Sequence, residues 1–151
     1  MLREAIDLRL KEAMKARDQG TLSAVRLIRA QLQERDVALR GEGRPQGLSD
    51  PEIQRMLQSM VKQRRESIAL YEQGKREDLA QKERAEIAVI ESFLPRQLDE
   101  AETESAVGAA IAETGAAGIK DMGRVMALLR ERHAGVIDLG RAGAVVKRLL
   151  G

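Results

Sequence analysis

The sequence predicts an all-α protein: an N-terminal bundle of about four helices over residues 1–94, then a compact three-helix tail unit over 95–151. Three observations carry that prediction. Tyr71 and Phe93 are the only aromatic residues, so the core must be built from Leu, Ile, Val, Met and Ala, a set that favours helix over strand. Apolar residues recur at i, i+3, i+4 and i+7 through seven segments, the spacing of one helix face. Charged residues make up 33% of the chain, above the usual ~25%, and they are mixed in sign, as the wet faces of amphipathic helices require.

The first helix is expected from about Leu2 to Arg17, with Leu2, Ile6, Leu10, Ala13 and Met14 inward. Asp18-Gln19-Gly20 should end it, and Thr21 or Ser23 can cap the second, whose inner positions are Leu22, Val25, Ile28, Leu32 and Leu39. Three glycines and a proline within residues 41–47 read as a plain loop. Ser49-Asp50-Pro51-Glu52 opens a third helix with a capping-box pattern and a proline in the first turn. Its stripe runs through Ile53, Met56, Leu57, Met60, Val61, Ile68 and Tyr71 to Gly74, and its polar side carries Lys62-Gln63-Arg64-Arg65. Arg76-Glu77-Asp78 begins the fourth, with Leu79, Glu83, Ile87, Ile90 and Leu94 along one side. Pro95 stops it, because the residue before a proline is driven out of the α region. Asp99-Glu100-Ala101-Glu102 restarts the chain, with Ala101, Val107, Ala110 and Ile111 inward as far as the break at 114–118.

The last two helices are written almost twice. Asp121-Met122-Gly123-Arg124 and Asp138-Leu139-Gly140-Arg141 each open a segment with an acid suited to the positive helix end. The stripes are Met122, Val125, Met126, Leu129 and then Leu139, Ala142, Val146, Leu149, Leu150. A glycine one turn in costs about 1 kcal/mol of helix propensity against alanine, so Gly123 and Gly140 are expected at a close helix contact. A compatible expectation is that the helix starts, with Arg124 and Arg141, meet an anion.

Composition excludes several classes. There is no cysteine, hence no disulfide and no thiolate metal site. No apolar run approaches membrane-spanning length and Met1-Leu2-Arg3-Glu4 does not read as a signal sequence, so the expected location is the cytoplasm. The net charge of +2 is small, but residues 95–115 carry one cation (Arg96) against five acids, whereas 116–151 carry seven cations against Asp121, Glu131 and Asp138. The last 36 residues are therefore the basic end of the sequence, able to bind phosphates.

Arg76-Glu77-Asp78-Leu79 after a glycine, the Phe93-Leu94-Pro95-Arg96-Gln97-Leu98 junction, Asp121-Met122-Gly123-Arg124-Val125-Met126 and Val61-Lys62-Gln63-Arg64 together resemble the YqeY family over essentially the whole chain. That family shares its domain with the C-terminal tail of GatB, the B subunit of the glutamine-dependent amidotransferase that converts misacylated tRNA. The resemblance implies a helical region followed by a small helical tail unit. It also implies contact between that tail and the tRNA body, with the amide chemistry in other domains and subunits. The pattern departs at Gly143, where a larger residue is usual, and at Val136-Ile137, which removes charge from the loop before Asp138.

Catalytic chemistry is not written in the chain. His133 is the only histidine and reads as a helix-end residue; serines and threonines sit at caps or on polar faces; residues 41–47 lack the lysine of a phosphate loop. No catalytic residue, cofactor or metal is expected, and the chain is expected to be a monomer. The leading expectation is a non-catalytic tRNA-binding accessory module using Lys120, Arg124, Arg141, Lys147 and Arg148, joined by Lys62, Arg64 and Arg65. Phosphate and shape contacts would carry it, since there are no aromatics to stack on bases. The alternative is a helical protein-interaction module that docks on a tRNA-handling enzyme. A third reading, inherited from the resemblance, is a carbon–nitrogen ligase component with glutamine as amido donor, which would need other subunits. Gly123, Gly140 and Pro95 are expected to be structural.

Overall fold

The structure, a computed structural model, describes residues 1–151. It contains seven α-helices: α1 (Leu2–Ala16), α2 (Gln19–Gly41), α3 (Asp50–Gln73), α4 (Glu77–Glu91), α5 (Glu100–Thr114), α6 (Met122–Arg132) and α7 (Leu139–Leu150). A short 3-10 turn, Ile119–Asp121, precedes α6. The helices gather into two compact units, Met1–Leu94 and Pro95–Gly151.

In the first unit α1 pairs with α2, α3 pairs with α4, and α2 also lies along α4. Ile6, Val25, Ile28, Ile53, Met56, Leu57 and Ile90 form the centre of its core. Full burial of an aliphatic side chain of this kind contributes about 1.5–3 kcal/mol. The stripe read for α3 is the buried one from Ile53 to Val61, and its capping box is complete: Ser49 accepts from Glu52 N, while the Glu52 carboxylate accepts from Ser49 N. Arg44 adds a bidentate pair at 2.9 Å. Together they hold Glu52 at a pKa of about 2, the Arg44 guanidinium being the larger cause.

Several local expectations are corrected here. Asp18, not Thr21 or Ser23, caps α2, because its carboxylate reaches Thr21 N at 3.1 Å and Thr21 Oγ1 at 2.7 Å. Gln19 and Gly20 therefore lie inside the first turn, and the α1–α2 connection shrinks to Arg17, in the left-handed region at φ 54°, and Asp18. Met14 is 55% exposed and Ala13 alone closes that end of the α1 face. In α4 the inward position next to Leu79 is Ala80, and Glu83 lies beside Arg64 rather than in an apolar stripe.

The 41–47 loop is not plain. Asp36 on α2 takes Arg3 of α1 in a bidentate pair, at 2.6 and 2.8 Å, and also accepts from Leu48 N at 2.9 Å. Arg3 Nη2 in turn donates to Leu48 O at 2.8 Å. Gly47, at φ 72°, passes so close that a Cβ there would lie 2.2 Å from Asp36 Oδ1. One buried carboxylate thus pins α1, α2 and the loop into α3.

In the second unit α5, α6 and α7 pack on one another around Val107, Val125, Leu129, Ile137, Ala142 and Val146. Asp99 and Glu102 complete the capping box of α5. The segment after Pro95 is stitched to the α6–α7 connection: Leu98 N donates to Val136 O at 2.8 Å, and Gln97 Nε2 to Gly135 O at 2.8 Å. Val136-Ile137 is therefore an anchor, with Ile137 buried, which explains its apolar character. On α5 the inward residue is Thr103, not the exposed Ala101. Leu149 is 48% exposed, and α7 buries Ala142, Gly143 and Val146 instead.

The repeated glycines are not at a helix contact. Gly123 and Gly140 are both exposed, and a Cβ on Gly123 would meet nothing within 4 Å. The buried glycine of the pair of helices is Gly143, where a Cβ would stand 3.4 Å from Met122 Cε, an ordinary contact with a flexible side-chain end. Gly108, in the middle of α5, is likewise exposed with no neighbour for a Cβ. Gly108→Ala should therefore raise the unfolding free energy by about 0.5–1 kcal/mol, and Gly123→Ala by a smaller amount because it lies in a first turn. Denaturant unfolding of the two variants checks this; a loss of stability in Gly123→Ala would restore the close-packing expectation.

Candidate nucleic-acid interface

The eight cations predicted to face phosphate are divided between the two units, three in the first and five in the second, and several are already paired. On α3, Lys62 is exposed, but Arg64 is only 14% exposed and donates to Glu86 at 2.9 Å and to Met60 O at 3.2 Å. Glu83 stands 4.0 Å from the same guanidinium. Arg65 pairs with Glu91 at 3.2 Å. Arg64 and Arg65 thus tie α3 to α4, and the Arg64 guanidinium is committed to Glu86 and Met60 O and largely shielded from solvent.

In the tail unit, Arg124 pairs with Asp121 at 2.8 Å and donates to Thr114 O at 3.3 Å. It places a cation on the last carbonyl of α5, the negative end of that helix. Arg141 and Arg148 stand seven residues apart on one flank of α7, where they line a groove of about 320 Å³ with Glu100, Thr103, Ala144 and Val145. Arg148 is paired there with Glu104. Lys147 lies four residues from Gly143 and so follows the flank that faces Met122. Lys120 is exposed in the 3-10 turn.

The two helix starts differ: Asp138 caps α7, whereas Asp121 leaves α6 without a side-chain cap. Asp138 Oδ1 accepts from Gly140 N at 2.9 Å and Arg141 N at 3.2 Å. Asp121 turns back instead, accepting from Ala117 N at 3.0 Å and Gly118 N at 3.3 Å. Those backbone donors, with Arg124 second, hold the Asp121 carboxyl below its ordinary pKa. An anion at the start of α7 would have to displace the bonded Asp138 carboxylate, and at α6 the Asp121 carboxylate is directed to the turn before the helix.

Folding also cancels the segmental charge excess. The tail unit holds eight cations and eight acids, because the acidic α5 packs against the basic helices that follow it. Arg132 pairs with Glu113 and Arg148 with Glu104 across those contacts. Arg96 pairs with Glu102, which also accepts from Asp99 N, and the carboxyl falls to a pKa of about 2, with Arg96 the larger cause. What remains is asymmetric. Six of the eight acids are engaged in caps or pairs, leaving Glu100 and Glu131, while Lys120, Arg130, Arg141 and Lys147 stay exposed outside the ion pairs. Arg130 was not singled out in the sequence, since it lies outside the repeated motif.

The only histidine, His133, follows the last turn of α6; its backbone N–H donates to Leu129 O, and its carbonyl accepts from Val136 and Ile137. No three His, Asp or Glu side chains come together in a group that could hold a metal ion. No helix is long and apolar enough to cross a membrane.

Two helical units, each tied internally by inter-helix ion pairs, with the tail carrying outward cations, define a small all-helical protein. The chain matches the Yqey-like protein family over residues 3–150 and belongs to it. No curated protein matches the chain.

Proposed function

We propose that the chain is a non-catalytic accessory module that binds folded tRNA through phosphate contacts of its tail unit. The observation that carries this reading is the asymmetry of that unit. Six of its eight carboxylates are spent on caps and internal pairs, whereas Lys120, Arg130, Arg141 and Lys147 point outward and unpaired. The resemblance to the tail region of the amidotransferase B subunit supports tRNA as the partner. With no Trp and only two aromatic residues, binding rests on backbone charge and shape rather than base stacking.

Counterion release sets the size of the test. Each phosphate neutralised on a duplex contributes about −0.9 to the slope of log K against log salt, so three to five engaged cations give a slope of roughly −3 to −5. Changing Lys120, Arg141 and Lys147 together to Gln should reduce the slope by about 2.7 and weaken binding to different tRNAs alike, since phosphate contacts carry no sequence information. Titration of labelled tRNA at several salt concentrations measures both, and a flat salt response of the wild-type chain would reject the reading.

A second reading is docking on a tRNA-handling protein. The groove between α5 and α7 favours it, because Ala144 and Val145 give it an apolar stretch between Arg141 and Arg148. Salt-insensitive capture of one protein partner, lost on Val145→Glu, would support that reading over RNA binding.

A further inference from the structure

The positive excess of this protein lies in its first helical hairpin. Residues 1–41 carry nine cations against six acids, whereas residues 42–94 carry nine against ten and the tail unit is neutral. The excess of the hairpin therefore exceeds the net charge of the whole chain, +2.

The fold concentrates part of it along a concave surface. A groove of about 390 Å³ runs between α1 and α2, lined by Arg3, Asp7, Arg29, Gln33, Asp36 and Arg40 among others. Both carboxylates there are already engaged, Asp36 by Arg3 and Leu48 N, and Asp7 by Arg29 at 3.1 Å. On α2, Arg26, Arg29, Gln33 and Arg40 fall on one flank by their spacing of three, four and seven residues, so the stripe extends past the groove at its Arg26 end. From Arg26 to Arg40 it covers about 21 Å of helix axis, at ~1.5 Å per residue. On α1, Lys11 stands one turn beyond Asp7 and carries the charge to the same end. Lys11, Arg26 and Arg40 are exposed and hold no ion pair, unlike Arg64 and Arg65 on α3.

An ordinary wet helix face alternates charges of both signs on one helix. Here two antiparallel helices bring Arg3, Arg29 and Arg40 to one concave groove with two satisfied carboxylates, and Lys11 and Arg26 continue the charge past its end. Gln33 adds an amide donor to the strip. An extended polyanion meets such a strip along its length, whereas a single small anion would use only one end of it.

We propose that the α1–α2 groove is a second phosphate-binding surface, which tracks the sugar–phosphate backbone of the RNA. This rests on the RNA-binding reading above and adds a site in the N-terminal unit that the tail does not supply. Arg3 and Arg29 hold the groove in shape through their carboxylate partners, while Lys11, Arg26 and Arg40 make the phosphate contacts.

The test uses the full chain and a labelled folded tRNA fraction, titrated at several salt concentrations. The groove variant changes Lys11, Arg26 and Arg40 together to Gln; the tail variant changes Lys120, Arg141 and Lys147. All six side chains are exposed, and an unchanged thermal midpoint of each variant confirms that the fold is kept. With the groove contacts added to those of the tail, the wild-type slope becomes roughly −5 to −7, and the groove variant is expected to lose about 2.7 of it. The loss should be the same for tRNAs of different sequence. A groove variant that binds as wild type does, beside a tail variant that loses binding, overturns the groove and leaves the RNA reading standing. The reverse outcome supports the groove and overturns the tail surface. A wild-type chain with no salt-dependent affinity for tRNA overturns both.

Discussion

Asp36→Ala is expected to lower the unfolding free energy by about 2–3 kcal/mol, a large effect for one polar residue. The carboxylate is buried on α2 and accepts from both terminal nitrogens of Arg3 and from Leu48 N. Removing it strands a guanidinium that is about a third exposed and a backbone N–H that has no other partner near it. Water can reach the first more easily than the second, which keeps the loss below that of a fully buried pair. Asp36→Asn should lose less, since an amide oxygen can still accept from Leu48 N. Gly47→Ala should be harmful through the same node. Its left-handed φ alone costs about 1–2 kcal/mol for a residue with a Cβ, and the added atom would strike the Asp36 carboxylate. In the Asp36→Ala background that clash is gone, so the double variant should lose less than the sum of the singles. Urea denaturation of the four proteins measures this cycle. A loss under about 0.5 kcal/mol for Asp36→Ala would reduce the node to an ordinary surface pair.

Local signals in the sequence were read correctly where the physics is local. The capping box at Ser49-Glu52 needs only three residues of context and formed as read, and the acid-led restart at Asp99 proves to be a second such box. The aliphatic stripe of α3 follows from helical spacing alone, and it is buried from Ile53 to Val61. Where the outcome depended on residues far along the chain, the sequence misled. The excess of cations after residue 116 is offset in the fold, where α5 sets its glutamates against Arg132 and Arg148 and leaves a smaller set facing outward. The repeated glycines implied close packing, yet the contact fell on Gly143, whose distinguishing feature is its distance from Met122 in space. Asp36 resembled any polar residue on a helix, because nothing in its neighbourhood of sequence announces Arg3 or Leu48. The hairpin excess was legible by counting alone, but its significance needed the two helices side by side, with each groove carboxylate already bonded.

Arg64→Met is expected to cost about 3 kcal/mol of stability and to leave RNA affinity unchanged. In sequence, Arg64 belongs to a basic run that suits phosphate; in the fold its guanidinium is enclosed by Glu86 and Glu83, which lie one turn apart on α4. Both partners of the closer pair are 14% exposed. Methionine fills the space of the arginine stem but leaves two adjacent carboxylates with no cation between them, and the unpaired charge, more than the lost attraction, sets the size of the effect. Adding Glu86→Leu should restore most of the stability, because a well-packed apolar pair replaces a buried ion pair at little net cost, and Glu83 is the more exposed of the two acids and can turn to water. Denaturation curves for the single and double variants give the coupling, and tRNA titrations on the same proteins give the binding. If Arg64→Met instead keeps full stability and weakens tRNA binding, its pairing with α4 is incidental and the basic run on α3 is a phosphate surface after all.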